Sequence, residues 1–368
     1  MPNTIKYGDD DKGCLMSANL FGDFCHFSFP QPQYLGSKYK HLHFIRECLP
    51  ANIKCVADAF AGSQSVAYFF KQSGYEVYTN DFLSFSHKIG QSLVENKRFR
   101  IDENDIKILL QNNQNPTHFD LMKNLFTDIF FKEEEAKFLD SFRSNIESLP
   151  QKKQPLAFSI INRSITRKVT MGHFAHTSAL SYANNKDRIK RNPNLIRPIK
   201  EIFLNLVQPY NSSIFDNLRE NKSYNLDAIE FIDLIKDKVD LVYFDPPYCG
   251  SHADYQAFYH LLETYTKYWK DKEFINGTKR YSPKKYSGFD TKADILDSFE
   301  KLFEAAAQIP HWIISYNDRS FPSIDTMKKL AGQYKNIEIK EKSYQNSVGG
   351  KGSVKGSKEI LLVCSPKH

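Results

Sequence analysis

The chain has 368 residues, enough for one large or two ordinary domains around a sizeable core. Its 41% hydrophobic and 25% charged residues are those of a globular protein, and the lack of a signal peptide or an apolar run near about twenty residues argues against secretion or membrane spanning. The net charge of +7 is uneven: Gln151–Lys200 carries eleven Lys and Arg against the single acid Asp187, a pattern that predicts a polyanionic partner engaged by one part of the molecule.

Met1–Pro30 is polar, without a clear period, and reads as a loosely ordered extension. Gln33–Lys40 (QYLGSKYK) places a small-residue turn, Gly36-Ser37, ahead of Lys38, and an amphipathic helix follows over His41–Leu49. In Lys54–Phe70 an apolar strand, Cys55–Ala57, runs into Asp58-Ala59-Phe60-Ala61-Gly62, and a helix begins around Ser63–Ser65. Small residues let such a turn approach a ligand, and the helix start favours anionic groups. The turn departs from G-x-G-x-x-G, which speaks against a nicotinamide cofactor. Tyr75–Asp81 is a second strand ending in an acid roughly twenty residues beyond the turn, a spacing that suits a carboxylate on ribose hydroxyls. Asp81 equally suits a helix cap.

Ile101–Ser148 is acidic and helical in pattern, for example over Phe119–Phe130 and Glu133–Phe142, and should face away from nucleic acid. Lys152–Lys200 carries the positive charge, with Arg163, Arg167, Lys168 and His173, then Lys186, Arg188, Lys190 and Arg191. Arg and Lys suit base edges and phosphates, although a charge run also suits a plain solvated loop. Ser223–Lys238 contains Asp227 ahead of a helix over Ala228–Lys236.

Val239–Tyr248 (VDLVYFDPPY) is the focus of the chain. Val239 and Leu241–Phe244 form a short buried parallel strand. It stops at Asp245-Pro246-Pro247-Tyr248, because two prolines forbid helix and ladder alike. In an open α/β sheet ligands bind at that end of the strands. The exocyclic amine of adenine or cytosine is a poor nucleophile, its lone pair delocalised into the ring. The Asp245 carboxylate and the Pro246 carbonyl can accept its two N–H groups, and Tyr248 can stack on a base swung out of its helix. Neither a metal nor a covalent nucleophile is needed. The same residues would also serve as a bare strand-ending turn. Cys249 beside them reads as a bystander, and the six cysteines, with no zinc spacing, read as reduced thiols of a cytoplasmic protein. Tyr255–Trp269 is rich in aromatics, of which Tyr255 or Phe258 suits the second face of a flipped base, or core packing. Trp312–Tyr316 and Ile337–Ile339 read as strands. Lys358–Cys364 reads as the last strand, antiparallel at the sheet edge, after a Gly/Ser/Lys loop over Asn346–Ser357.

With these motifs in this order, from Gln33 to the C-terminus, the chain resembles the DNA adenine methylases, S-adenosylmethionine-dependent N6-adenine methyltransferases in which cofactor motifs come first, target recognition next and DPPY last. The resemblance implies an α/β, Rossmann-like methyltransferase core from residues 31–100 and 223–368, with a mainly helical target-recognition insertion at 101–222. It implies S-adenosylmethionine contacts at Tyr34, Gly36, Ser37 and Lys38, at Asp58, Ala59, Phe60 and Gly62, at Asp81 through ribose, and at Phe82 and Asp227 near adenine. Asp245, Pro246, Pro247 and Tyr248 become the catalytic set. Double-stranded DNA becomes the partner, contacted by Arg163, Arg167, Lys168, His173, Lys186, Arg188, Lys190 and Arg191. A separate restriction endonuclease for the same site is the further partner it suggests. Rival readings are a ribosomal RNA adenine methyltransferase and a non-catalytic DNA-binding subunit of the same fold. A protein-glutamine methyltransferase would carry Asn where Asp245 stands.

Overall fold

A computed structural model describes residues 27–31, 34–169, 174–177, 179–247, 254–317, 320–344 and 357–367. Seven strands form one sheet: β1 Cys55–Asp58, β2 Glu76–Asn80, β3 Lys222–Tyr224, β4 Leu241–Phe244, β5 His311–Asn317, β6 Lys335–Tyr344 and β7 Ser357–Pro366, in the order β3-β2-β1-β4-β5-β7-β6. The ladders joining β3, β2, β1, β4 and β5 are parallel, while β7 is antiparallel to β5 and β6 on either side.

Parallel strands are buried on both faces, and alternate residues go to opposite layers. On one face Ala57, Val242, Phe244, Trp312 and Ile314 pack against the helices Ala228–Ile235, Ile295–Ala305 and Ile324–Ala331. On the other, Val56, Val77, Leu241, Tyr243 and Ile313 meet the helices Leu42–Glu47 and Ser65–Gln72. Each fully buried apolar side chain of this kind contributes about 1.5–3 kcal/mol. The predicted α/β architecture is therefore present, and its strands at 55, 75, 241 and 312 lie where expected.

A second apolar cluster joins the helices Leu121–Phe126, Glu133–Ile146, Gln154–Lys168 and Ile199–Ser212 to Ser84–Ile89 and to His260–Lys267. The aromatic segment after the diproline thus packs among the helices of 101–222. Gln154–Lys168, where Arg163, Arg167 and Lys168 lie, buries Leu156, Phe158, Ile160, Ile161 and Ile165 in this cluster.

Three expectations need correction. The strand at Lys358–Cys364 is antiparallel, but it lies inside the sheet and β6 forms the edge. Ile360, Leu361 and Leu362 are buried, whereas β6 is mostly exposed and alternates Ile with Lys and Glu, as a solvated edge strand should. The described end of the N-terminal extension is also anchored. Phe29 is buried against Tyr68, and Phe27 stacks on Phe215 with centroids 4.3 Å apart. The helix expected over Phe119–Phe130 is short, Leu121–Phe126, and ends in a tight turn where Asp128 takes a positive φ. Among the described residues no helix is long and apolar enough to cross a membrane.

Candidate active site

The strand order reverses between β1 and β4, the place where an open α/β sheet leaves a crevice at its carboxyl edge. A cavity of about 1000 Å³, counting its open mouth, lies there. Tyr34, Gly36, Ser37 and Lys38 line it from the N-terminal loop, Asp58, Ala59, Phe60 and Gly62 from the end of β1, and Asp81 and Phe82 from the end of β2. Asp227 follows β3, and Asp245, Pro246 and Pro247 follow β4. Residues predicted from five separate segments thus share one wall. Tyr248 lies outside the described residues, as do His173 and Cys249.

The β1 turn is fastened to its neighbours. The Ala59 amide donates to the Tyr243 carbonyl at 3.1 Å and the Ala61 amide to the Asn80 carbonyl at 3.0 Å. The Gly62 amide donates to Asp81 Oδ2 at 2.7 Å, and the Leu83 amide to Asp81 Oδ1 at 2.8 Å. Gly62 has φ +47°, and a Cβ there would lie 2.7 Å from the Tyr34 ring. Tyr34 stacks on Tyr259 with centroids 4.8 Å apart, and Tyr259 Oη accepts from the Leu35 amide at 2.6 Å. The N-terminal loop, the β1 turn and the helix after the diproline are thereby locked together.

The electrostatics are those of an acidic pocket with a fixed cation. Asp58 is 1% exposed, and neither of its carboxylate oxygens has a hydrogen-bond partner among the described residues. Burial, with the Asp245 and Asp81 charges added, raises its pKa well above the carboxylate range. Burial likewise pushes Asp81 up to about 6, against the pull of the Leu83 and Gly62 amides. Lys38 Nζ sits 3.3 Å from Asp245 Oδ1 and 2.9 Å from Glu359 Oε1. Asp227 caps the helix Ala228–Ile235 by accepting from the Ile229 amide at 2.9 Å. Lys285 Nζ lies 4.1 Å from the centroid of Phe82. A ligand with positive charge and hydroxyl donors fits such a lining, because a buried carboxylate without a partner among the described residues, as Asp58 is, is costly until a cation or donor meets it.

Sequence reasoning missed several residues here. Asn80 ties the ends of three strands together: its Nδ2 donates to Ala59 and Leu226 carbonyls, and its Oδ1 accepts from the Leu226 amide. Glu263 is buried and accepts from the Ser84 and Phe85 amides, capping the helix Ser84–Ile89. Gln256, Phe289 and Asp290 close the cavity from the far side of the diproline. Tyr255, a candidate for the base face, lines the cavity, while Phe258 packs on the helical cluster.

The basic residues fall into two groups. Arg163 is half-buried, and burial lowers its pKa to about 10. Lys168 pairs with Glu135 at 2.7 Å and donates to the Arg197 carbonyl at 2.9 Å, and Arg167 is half-buried beside it. By contrast the helix Lys186–Arg191 buries no residue; Lys186, Lys190 and Arg191 are exposed, and the Arg188 guanidinium lies 3.7 Å over the Tyr182 ring. A second basic element, marked by its charge but passed over in reading the sequence, lies after the diproline. Two short strands, Glu273–Phe274 and Tyr281–Ser282, form a hairpin within Lys267–Lys285, which holds seven Lys and Arg against two acids. Lys270 and Lys284 pair with Asp120 and Asp254, pinning the hairpin to the body. Its turn, including Ile275, Asn276 and Arg280, faces Ala175–Thr177 across an open cleft.

A doubly wound sheet with an acidic cavity and a diproline corner at its switch point is a Rossmann-like methyltransferase. The chain belongs to the D12 class N6 adenine-specific DNA methyltransferase family, whose model matches residues 34–317. It is 28% identical to the type II methyltransferase M2.HphI of Haemophilus parahaemolyticus over 91% of this chain and 97% of that protein. It is 26% identical to the modification methylase StsI of Streptococcus sanguinis and 25% identical to the type II methyltransferase M.FokI of Planomicrobium okeanokoites, over 82% and 85% of this chain. The chain spans about half the length of these last two relatives, 46% and 49%. The expected adenine-specific DNA methyltransferase, and with it the use of a methyl donor and of DNA as substrate, is thereby borne out.

Proposed function

We propose that the chain methylates N6 of an adenine swung out of duplex DNA, with S-adenosylmethionine as donor, as the modification enzyme of a restriction–modification system. The observation that carries this reading is that the diproline corner after β4 opens onto the same cavity as Asp58, Gly62 and Asp81. When bound, S-adenosylmethionine supplies an electrophilic methyl group. The buried carboxylates of Asp58 and Asp81 suit its positive charge and its ribose hydroxyls, and the Tyr34 to Lys38 loop suits its methionine end. Asp245, kept ionised by the Lys38 ammonium 3.3 Å away, accepts one N–H of the adenine amine, and the Pro246 carbonyl accepts the other. Drawing on both N–H bonds returns electron density to nitrogen, an electrostatic preorganisation that is most effective in a site closed to water. Tyr248 supplies the stacking face.

Residues 101–222 are proposed as the target-recognition part on the core formed by 31–100 and 223–368. Lys186, Arg188, Lys190 and Arg191 are the favoured phosphate contacts, joined by Lys279 and Arg280 of the hairpin. The names of the relatives, type II methyltransferase and modification methylase, support a restriction–modification role; a separate endonuclease for the same site is proposed with it. Asp245→Ala should abolish tritiated-methyl transfer to DNA while leaving cofactor and DNA affinity within about tenfold, the signature of a contact made in the transition state. Wild-type turnover in that variant would end this reading. Mapping methylated bases in DNA from a host expressing the chain tests the product and the site.

A further inference from the structure

Glu359 lies on β7, far along the chain from every motif above, yet it is 2% exposed and reaches the catalytic corner. Its Oε1 accepts from Ser315 Oγ of β5 at 2.6 Å and lies 2.9 Å from Lys38 Nζ, whose other side faces Asp245 Oδ1 at 3.3 Å. The Lys38 side chain is 8% exposed and that of Glu359 3% exposed, so water screens this row of charges weakly. A buried lysine with a single carboxylate partner would form a full ion pair with it. Here a second carboxylate, fixed by the Ser315 hydroxyl, draws the ammonium the other way.

We infer that Glu359 is a positioning residue for methyl transfer: it shares the Lys38 charge, so that Asp245 stays ionised without being neutralised as a hydrogen-bond acceptor. An amine N–H gains most from an acceptor that keeps its electron density. A carboxylate bound tightly to a lone lysine gives part of that density up. The inference rests on Asp245 acting as the acceptor and extends the site to the far side of Lys38. It also gives the pairing of β7 with β5 a functional meaning, since that pairing brings Glu359 alongside Ser315 and Lys38.

Glu359→Gln is the decisive variant, because glutamine keeps the shape and can still accept from both Ser315 and Lys38, so only the charge is lost. The single-turnover rate should fall by about tenfold or more, with dissociation constants for S-adenosylmethionine and duplex DNA within about threefold of wild type. A rate within twofold of wild type, or a slower rate matched by equally weakened affinity, would overturn the inference. Should thermal unfolding show that this variant does not fold, Ser315→Ala takes its place. It keeps both charges but loosens Glu359, and should lower the rate in the same direction by a smaller factor; an unchanged rate there would likewise refute the role. Failure here is separable from failure beneath it: Asp245→Ala inactive with Glu359→Gln fully active removes this inference alone, whereas an active Asp245→Ala removes the assignment on which it stands.

Discussion

Gly62 shows how much one side chain, or its absence, decides at this site. Its positive φ costs a non-glycine residue about 1–2 kcal/mol, and a Cβ would also press on the Tyr34 ring. Gly62→Ala should therefore displace Tyr34 and weaken binding of the proposed cofactor by roughly tenfold or more, measured by equilibrium dialysis with labelled S-adenosylmethionine. Unchanged affinity would mean that the ring moves aside freely. Lys71, fully buried in the helix after β1, donates to the Leu93 and Asn96 carbonyls at 3.0 and 2.8 Å. Burial lowers its pKa to about 7 from an ordinary 10.5. The folded state then binds fewer protons than the unfolded chain above pH 7, so stability rises with pH across this window and the gain is lost on acidification. Between pH 7 and 8.5 the wild type should gain unfolding free energy faster than Lys71→Met, by up to about 1.4 kcal/mol per pH unit. Parallel slopes in urea titrations of the two proteins would refute this.

At the scale of elements, legibility followed locality. Asp58, Phe60 and Gly62 could be read because a strand, a turn and a helix start succeed one another within a few residues, and Asp81 because the next strand ends beside them. Glu359 could not, since its partners Lys38 and Ser315 meet it only through sheet topology; the one trace is an acid set against the apolar Ile360–Val363. The apolar run Ile360–Val363 fits an interior strand and the alternating Lys, Glu and Ile of Lys335–Tyr344 fits an edge, a contrast lost when Lys358–Cys364 is read as the edge from its place at the end of the strand order. Helix Gln154–Lys168 held a similar ambiguity. Its cations stood out, whereas the spacing of Leu156, Ile160 and Ile161 carried the more consequential message that one face is core.

For the whole molecule the central question is the path of DNA, and charge pairing sorts the candidates. Lys168 already satisfies Glu135, so Lys168→Met should lower the unfolding midpoint and leave the salt dependence of DNA binding nearly unchanged. Neutralising the exposed Lys186, Lys190 and Arg191 together should weaken binding and reduce the slope of log K against log salt by roughly 0.9 for each phosphate that is no longer neutralised. Lys279→Ala with Arg280→Ala, at the hairpin turn, should act the same way. Fluorescence anisotropy across a salt series measures all three. An unmoved slope for both the exposed helix set and the half-buried hairpin pair would place the duplex on another face.

The placing of β7 between β5 and β6 also bears on how the protein is made. Ribosomes deliver β5 and β6 before the strand that must separate them, so those two neighbours cannot settle until the later segment has emerged and threaded between them. Assembly of this half of the sheet therefore waits for Ser357–Pro366, and a nascent chain arrested ahead of Ser357 would display the unsatisfied edge of β5, a ready target for chaperones.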